Sequence, residues 1–177
     1  MQFNWVSETK RYKLREFHTS DAEALFELNN DPMVLKYTGD KPFESIEAAE
    51  NFIQAYHHYH DFGFGRWAII DKETNDFKGW SGLRHSIEKN EVDVGFRIFK
   101  TSWNQGIASE TAFESLRIGF ETFKLKAIYG NVASENLASI KVLQKLGMKN
   151  PIPNMLGVFN GFSYVLNNHE WQFMKNL

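Results

Sequence analysis

The junction at residues 92–123 constrains this chain more than any other stretch. The run 92–99 reads as a strand. After residue 106, Ala108, Ala112, Leu116, Gly119, Phe120 and Phe123 fall on one face of a helix. Between them lies Trp103-Asn104-Gln105-Gly106-Ile107-Ala108-Ser109-Glu110. A strand that feeds a tight glycine-containing turn and then a helix aims several backbone N–H groups at one point. The helix dipole favours an anion there. A Cβ at position 106 would hold a phosphate off the backbone, so Gly106 belongs to the same logic. The expectation is a diphosphate cradle. Neither the three-glycine dinucleotide fingerprint nor the G-x-x-x-x-G-K-[ST] loop is present, so the ligand is not assigned by either.

Composition narrows the setting. With 177 residues, 42% hydrophobic and 15% aromatic, the chain is predicted to be one globular domain, 1–177, with a sizeable core. A formal charge of −2 gives no electrostatic reason to expect nucleic acid or an anionic membrane. The chain has no cysteine, which excludes disulfides, thiolate metal sites and a cysteine nucleophile. No basic segment followed by an apolar run opens the chain, and no apolar stretch of about 18 residues occurs. The expectation is a cytoplasmic protein with no membrane partner.

Along the chain, residues 11–17 read as a first strand. Ser20 with Glu23 forms a capping box for a helix to about Asn30, and a short helical piece spans 33–37. Ser45 caps a helix predicted to run to about His60. His57 and His60 would share a face near its end. That spacing suits either a metal pair or a solvated helix end, and with no evident third ligand no metal is predicted. Strands are predicted at 67–71, 77–84 and 91–99, an antiparallel meander. The helix over 106–123 follows, then a strand at 126–133. A helix from Asn136 to Leu146 is closed by Gly147. Residues 150–154 read as a loop, and Asn160-Gly161 as the turn of a last hairpin. Trp171 and Phe173 would extend the final strand or form a terminal turn. The fold class is a mixed α/β (α+β) sheet with helices on both faces.

A second motif adds chemistry. Residues 134–148 contain Asn136, Ser139, Val142, Lys145, Leu146, Gly147 and Met148 in the pattern N-x-x-S-x-x-V-x-x-K-L-G-M. This segment resembles the N-x-x-S-x-x-V-x-x-K-L-G-F stretch of the Gcn5-related N-acetyltransferases (GNAT). The loop at 103–108 resembles that family's acetyl-CoA loop, Q/R-x-x-G-x-G/A, with Trp103 at the first position. Trp there is similar to the RimJ/RimL-type branch that acetylates ribosomal-protein N-termini. The resemblance covers about residues 10–175. It implies a mostly antiparallel sheet with one splayed parallel strand pair, acetyl-CoA as cosubstrate and an amine acceptor.

By that resemblance the cofactor lies along Phe96, Ile98 and Phe99, on the loop Asn104, Gln105, Gly106, Ile107, Ala108 and Ser109, and beside Asn131, Asn136 and Ser139. Ser139 is the candidate that protonates the departing sulfur. A backbone N–H near Phe99 is the candidate oxyanion donor. Tyr37, Phe43, Trp67 and Trp80 would wall the acceptor side, with Asp93 at its floor. Asp93 is the candidate general base, with Glu91 and His85 as alternatives; its plainer role is an ion pair with Arg84 or Arg97.

The expected reaction moves acetyl from a thioester to a primary amine by direct attack in a ternary complex. A peptide α-amine, with pKa about 7.7–8.0, is neutral roughly a tenth of the time at pH 7, against less than a thousandth for lysine. This favours a protein or peptide N-terminus, with a small-molecule amine (polyamine, amino acid or antibiotic) as the alternative acceptor. A non-catalytic acyl-CoA sensor is the alternative from another class. A monomer or a homodimer fits equally.

Overall fold

A computed structural model describes residues 2–175. Its strands are β1 (Trp5–Glu8), β2 (Tyr12–Arg15), β3 (Arg66–Asp71), β4 (Phe77–Ser86), β5 (Glu91–Ile98), β6 (Ala127–Ala133), β7 (Lys149–Leu156) and β8 (Phe159–Asn167). They form one eight-stranded sheet in the order β1-β2-β3-β4-β5-β6-β8-β7. Every neighbouring pair is antiparallel except β5 and β6, which run parallel and share a single ladder position, Asp93 opposite Tyr129. The expected mixed sheet with one loosely joined parallel pair is therefore the observed one.

Helices pack on both faces. On one side α1 (Ala22–Asn30), α2 (Pro32–Leu35) and α3 (Ile46–Gln54) gather around Leu25, Leu28, Ala49 and Ile53, while α4 (His58–Phe62) sets Tyr59 and Phe62 against the larger cluster of the opposite face. On the other, α5 (Ile107–Arg117), α6 (Leu137–Lys145) and α7 (Asn168–Lys175) cover the larger cluster, which includes Trp67, Leu83, Leu116, Phe120, Ile128 and Trp171. The predicted helix over 106–123 is α5 continued by a π turn, Ile118–Thr122.

Several local readings are corrected. The first helical turn starts earlier than Ser20: His18 caps a short 3-10 turn, Thr19–Asp21, and the Asp21 carboxylate accepts the His18 N–H at 2.9 Å. Ser45 does cap α3, but that helix stops at Gln54 and a separate α4 follows. The break has a cause in the residues: the Tyr56 hydroxyl accepts the Arg66 N–H at 2.8 Å, and the Tyr59 hydroxyl donates to the Arg66 carbonyl. Residues 150–154 belong to β7, where Pro151 and Pro153 are tolerated because the strand is at the sheet edge. The last hairpin turns at Gly157-Val158, joining Leu156 to Phe159, with Gly157 at φ +60° as a glycine-first two-residue loop requires. Gly161 lies instead within β8, where a Cβ would meet the Val132 carbonyl. Trp171 sits in a helix and stacks on Phe120 at 5.5 Å. β1 had no counterpart in the sequence reading.

Candidate active site

The functional geometry grows from the end of the β5–β6 ladder. The Phe99 N–H donates to the Lys78 carbonyl at 3.1 Å. In an antiparallel pair this makes Ile98–Gly79 a position whose amide groups point away from β4. By two-residue alternation, Phe96 and Ile98 both turn their amides toward β6, past the one rung that joins the two strands. A strand edge with amides turned into a gap is a place for a ligand that carries amides of its own. The same bond takes the Phe99 N–H itself out of the candidate oxyanion donors, because it is engaged with Lys78. Phe99 packs its ring against the cluster of Leu25, Leu28, Ala49 and Ile53, 6.3 Å from Phe77.

Beyond Ile98 the chain reaches the glycine turn. Gly106 has φ +77° and caps α5, a conformation only glycine adopts readily. Asn104, Gln105 and Gly106 are exposed, while the Ile107 side chain is buried in the core. The N–H groups of Ile107, Ala108 and Ser109 open the helix and have no carbonyl one turn upstream within it. The loop is braced from outside. Arg11 donates to the Gln105 carbonyl at 3.0 Å and to the Glu110 carboxylate at 2.8 Å, and Thr9 donates to Glu110 at 2.7 Å. Burial would raise the Glu110 carboxyl, but Thr9 and Arg11 hold it below its ordinary value. Trp103 braces it from inside, its indole N–H donating to the Ile98 carbonyl at 2.8 Å.

A cleft of about 810 Å³ opens between β5, β6, α6 and the first helices. Phe96, Asn131, Asn136 and Ser139 line it, as expected, and so do Tyr37, Phe43, Trp80 and Asp93. Asn136 caps α6 by accepting the Ser139 N–H at 3.1 Å, which places both side chains on the cleft wall. Asn131 accepts from the Ser163 hydroxyl. Trp67 is a correction: it is 1% exposed in the main core. It is paired with Ser81 on the sheet face opposite Trp80, so strand parity takes it away from the cleft.

Asp93 shares its face with Gly95 and Arg97, but it is no free carboxylate. Arg66, across β4, binds one Asp93 oxygen, and Arg84 Nε binds the other at 3.2 Å. The path from Arg66 to Asp93 crosses Gly82 and Gly95. A Cβ on Gly95 would lie 2.6 Å from the guanidinium, so glycine is required for this ion pair to form. Burial would raise the Asp93 carboxyl, and the Arg66 and Arg84 charges outweigh it and hold it below the usual range. Such a group accepts a proton at neutral pH less readily than the free carboxylate a general base needs. Trp80 is stacked between Arg66 and Arg97, each guanidinium 5.3 Å from its ring centre. Arg97 in turn binds Asn29 and Asp40.

Sequence reasoning missed Arg66, Asp40, Tyr56 and His58 on the cleft. Arg66 left one readable signal: a lone cation opening the apolar run 67–70, matched by a lone carboxylate between Val92 and Val94. Buried charges require partners, so the two point at each other. Of the histidine pair, His57 lines the cleft, while His60 is solvent-exposed beside Asp61. Among the described residues no group of three or more metal-ligating side chains occurs. No helix among them is long and apolar enough to cross a membrane.

With this geometry in place, comparison with known proteins is informative. Residues 11–149 match the family model of the acetyltransferase (GNAT) domain. An uncharacterized N-acetyltransferase, p20 of Bacillus licheniformis, is 32% identical over 80% of each chain. A spermidine N(1)-acetyltransferase of Vibrio cholerae is 27% identical over 76% of each. In fold, a GNAT-family acetyltransferase from Bacillus anthracis superposes with a TM-score of 0.78 at 24% identity, covering 95% of this chain and 99% of that one. The chain belongs to the GNAT acetyltransferase family. It is therefore an acyltransferase whose acyl donor is acetyl-CoA. The residues fit that donor: a braced glycine turn that opens α5 at Gly106, N–H groups of Phe96 and Ile98 turned away from β4, and Asn136 and Ser139 on the wall of the cleft that Phe96 also lines.

Proposed function

We propose that this enzyme acetylates a protein or peptide N-terminal α-amine, in the manner of the RimJ/RimL-type branch, by direct attack in a ternary complex. The observation that carries the reading is that both carboxylates lining the acceptor side are already engaged by arginines, Asp93 by Arg66 and Arg84, and Asp40 by Arg97. A polyamine needs unengaged acids to match its charges, and this wall of Tyr37, Phe43 and Trp80 presents none. Spermidine belongs to the name of the Vibrio relative, and the charge pattern here opposes a polycation.

The same observation bears on the chemistry. With Asp93 held ionised, the cleft favours an acceptor that deprotonates without a strong base, and an α-amine of pKa about 7.7–8.0 meets that need. The neutral nitrogen attacks the thioester carbonyl carbon, the C–S bond breaks, and the nitrogen loses its proton to solvent. Ser139, with its hydroxyl on the cleft wall, donates a hydrogen bond or proton to the departing sulfur. Phe96 and Ile98, whose N–H groups turn into the gap, orient the donor, so positioning supplies much of the rate.

The test compares kcat/KM for short peptides with a free Ser or Ala N-terminus against spermidine and free lysine. The peptides are expected to win, with a rate that rises through about pH 8 as the amine deprotonates. A tenfold or greater advantage for spermidine or lysine would overturn the assignment.

A further inference from the structure

The acceptor side of the cleft is cationic in a chain whose formal net charge is −2. Lys41, Arg66, Arg84 and Arg97 line the cleft, against only Asp40 and Asp93 among the carboxylates. Three of these cations are not equivalent to the fourth. Arg66 spends its guanidinium on the Gly82 and Asp93 carbonyls and the Asp93 carboxylate. Arg97 spends its own on Asn29 and Asp40. Lys41 lies on an exposed loop. Arg84 differs: only its Nε is engaged, with Asp93 at 3.2 Å, and its side chain is 57% exposed. Among the described residues, neither terminal nitrogen of Arg84 has a hydrogen-bond or ion-pair partner. Asp93 thus fixes the arm and leaves the two-nitrogen end of the fork presented to the cleft.

This fork is too far from the cradle to serve the donor's diphosphate. Arg84 pairs with Asp93, five residues upstream of Ile98 on β5, which is about 17 Å along a strand. It lies instead one strand repeat from the Gly82–Gly95 pair, about 7 Å away, on the acceptor side. A planar fork with two unengaged N–H groups matches a carboxylate.

We infer that Arg84 is a substrate-binding residue that selects acceptors carrying a carboxylate close to the attacking amine, which among peptides means Asp or Glu in the first residues. This rests on the peptide reading above for its substrate class. The fork itself argues only for the anion. Lys at the same place in a peptide meets like charge, so discrimination is expected in both directions.

The experiment measures kcat/KM for three matched peptides, with Ser at the N-terminus and Asp, Gln or Lys in second place, on wild type and on Arg84→Gln, Arg84→Lys and Arg84→Glu. Wild type is expected to prefer the Asp peptide over the Lys peptide by about tenfold or more. Arg84→Gln should bring the three within about twofold, Arg84→Lys should keep part of the preference, and Arg84→Glu should invert it. A wild type indifferent to the second residue overturns the inference. So does an Arg84→Gln variant that slows all three peptides by one factor, because that is what a purely structural role through Asp93 would do. Serine and serinamide form a parallel arm. If no peptide is acetylated yet wild type favours serine and Arg84→Gln does not, the anion-reading role stands and the peptide assignment falls. If the variants do not fold, wild type decides: the Asp-over-Lys ratio must be present and must shrink as salt is raised.

Discussion

Arg66→Met tests the architecture of the cleft most sharply, because the loss it produces has a sign that depends on pH. Methionine keeps the length and apolar body of the side chain but deletes the charge that Asp93 faces. Asp93 is buried and retains only Arg84, whose own side chain is more than half exposed. Removing one partner of a buried pair leaves an uncompensated charge, at a cost of about 3–5 kcal/mol. For a chain of this size that lowers Tm by roughly 10 °C. The Asp93 carboxyl is held below its unfolded value, so its contribution to stability is present above the unfolded pKa of about 3.9 and is lost as pH falls through the folded value. In the variant, burial dominates and pushes the carboxyl up, so protonation relieves the defect. Thermal unfolding of both proteins between pH 4 and pH 8 should therefore show a gap that is widest at neutral pH and narrows toward pH 4. Asp93→Asn in the Arg66→Met background should restore part of the loss at pH 7, a coupling visible in a double-mutant cycle. A gap that stays constant with pH, or a double variant no more stable than Arg66→Met, would refute the ion-pair account.

Two further outcomes follow from the site. Gly106→Glu should leave the protein folded but abolish stabilisation by acetyl-CoA, which for wild type at a hundred times its Kd is about 2.7 kcal/mol; differential scanning fluorimetry reads this directly, and undiminished stabilisation would place the cradle elsewhere. Ser139→Ala should lower kcat more than it raises KM for acetyl-CoA, because charge develops on sulfur only in the transition state; an unchanged kcat under conditions where chemistry is rate-limiting would remove Ser139 from the mechanism.

What the sequence revealed and what it hid divide along the range of the interaction. Gly106 at the start of a helix and Asn136 three residues before Ser139 are local devices: cap, turn and dipole are written in adjacent letters, and the structure has both helix starts where they were read. The Arg66–Asp93 pair is separated by 27 residues and depends on two glycines in two other strand positions lining up beneath it. No periodicity encodes that alignment. The face that Trp67 takes is not legible in the sequence, because choosing a sheet face needs the register against Trp80, and a one-residue error inverts the answer. The Asn160-Gly161 turn lost to Gly157-Val158 for a tertiary reason: Gly161 is needed where β8 passes close to Val132 of β6. The edge position that lets β7 carry two prolines is likewise invisible until the strand order is known. The break between α3 and α4 is fixed by two tyrosine hydroxyls on the Arg66 backbone, another contact between distant letters.

The central claim is acetyl transfer to an amine at the β5–β6 gap. Its most direct test incubates the protein with acetyl-CoA and a Ser- or Ala-initiated peptide while free thiol and peptide mass are followed together. One thiol is expected to be released for each acetyl group gained on the peptide's α-nitrogen. Stabilisation of the fold by acetyl-CoA with no thiol release across peptides, polyamines and amino acids would contradict it, and would mark the chain as a protein that binds acetyl-CoA without transferring the acetyl group.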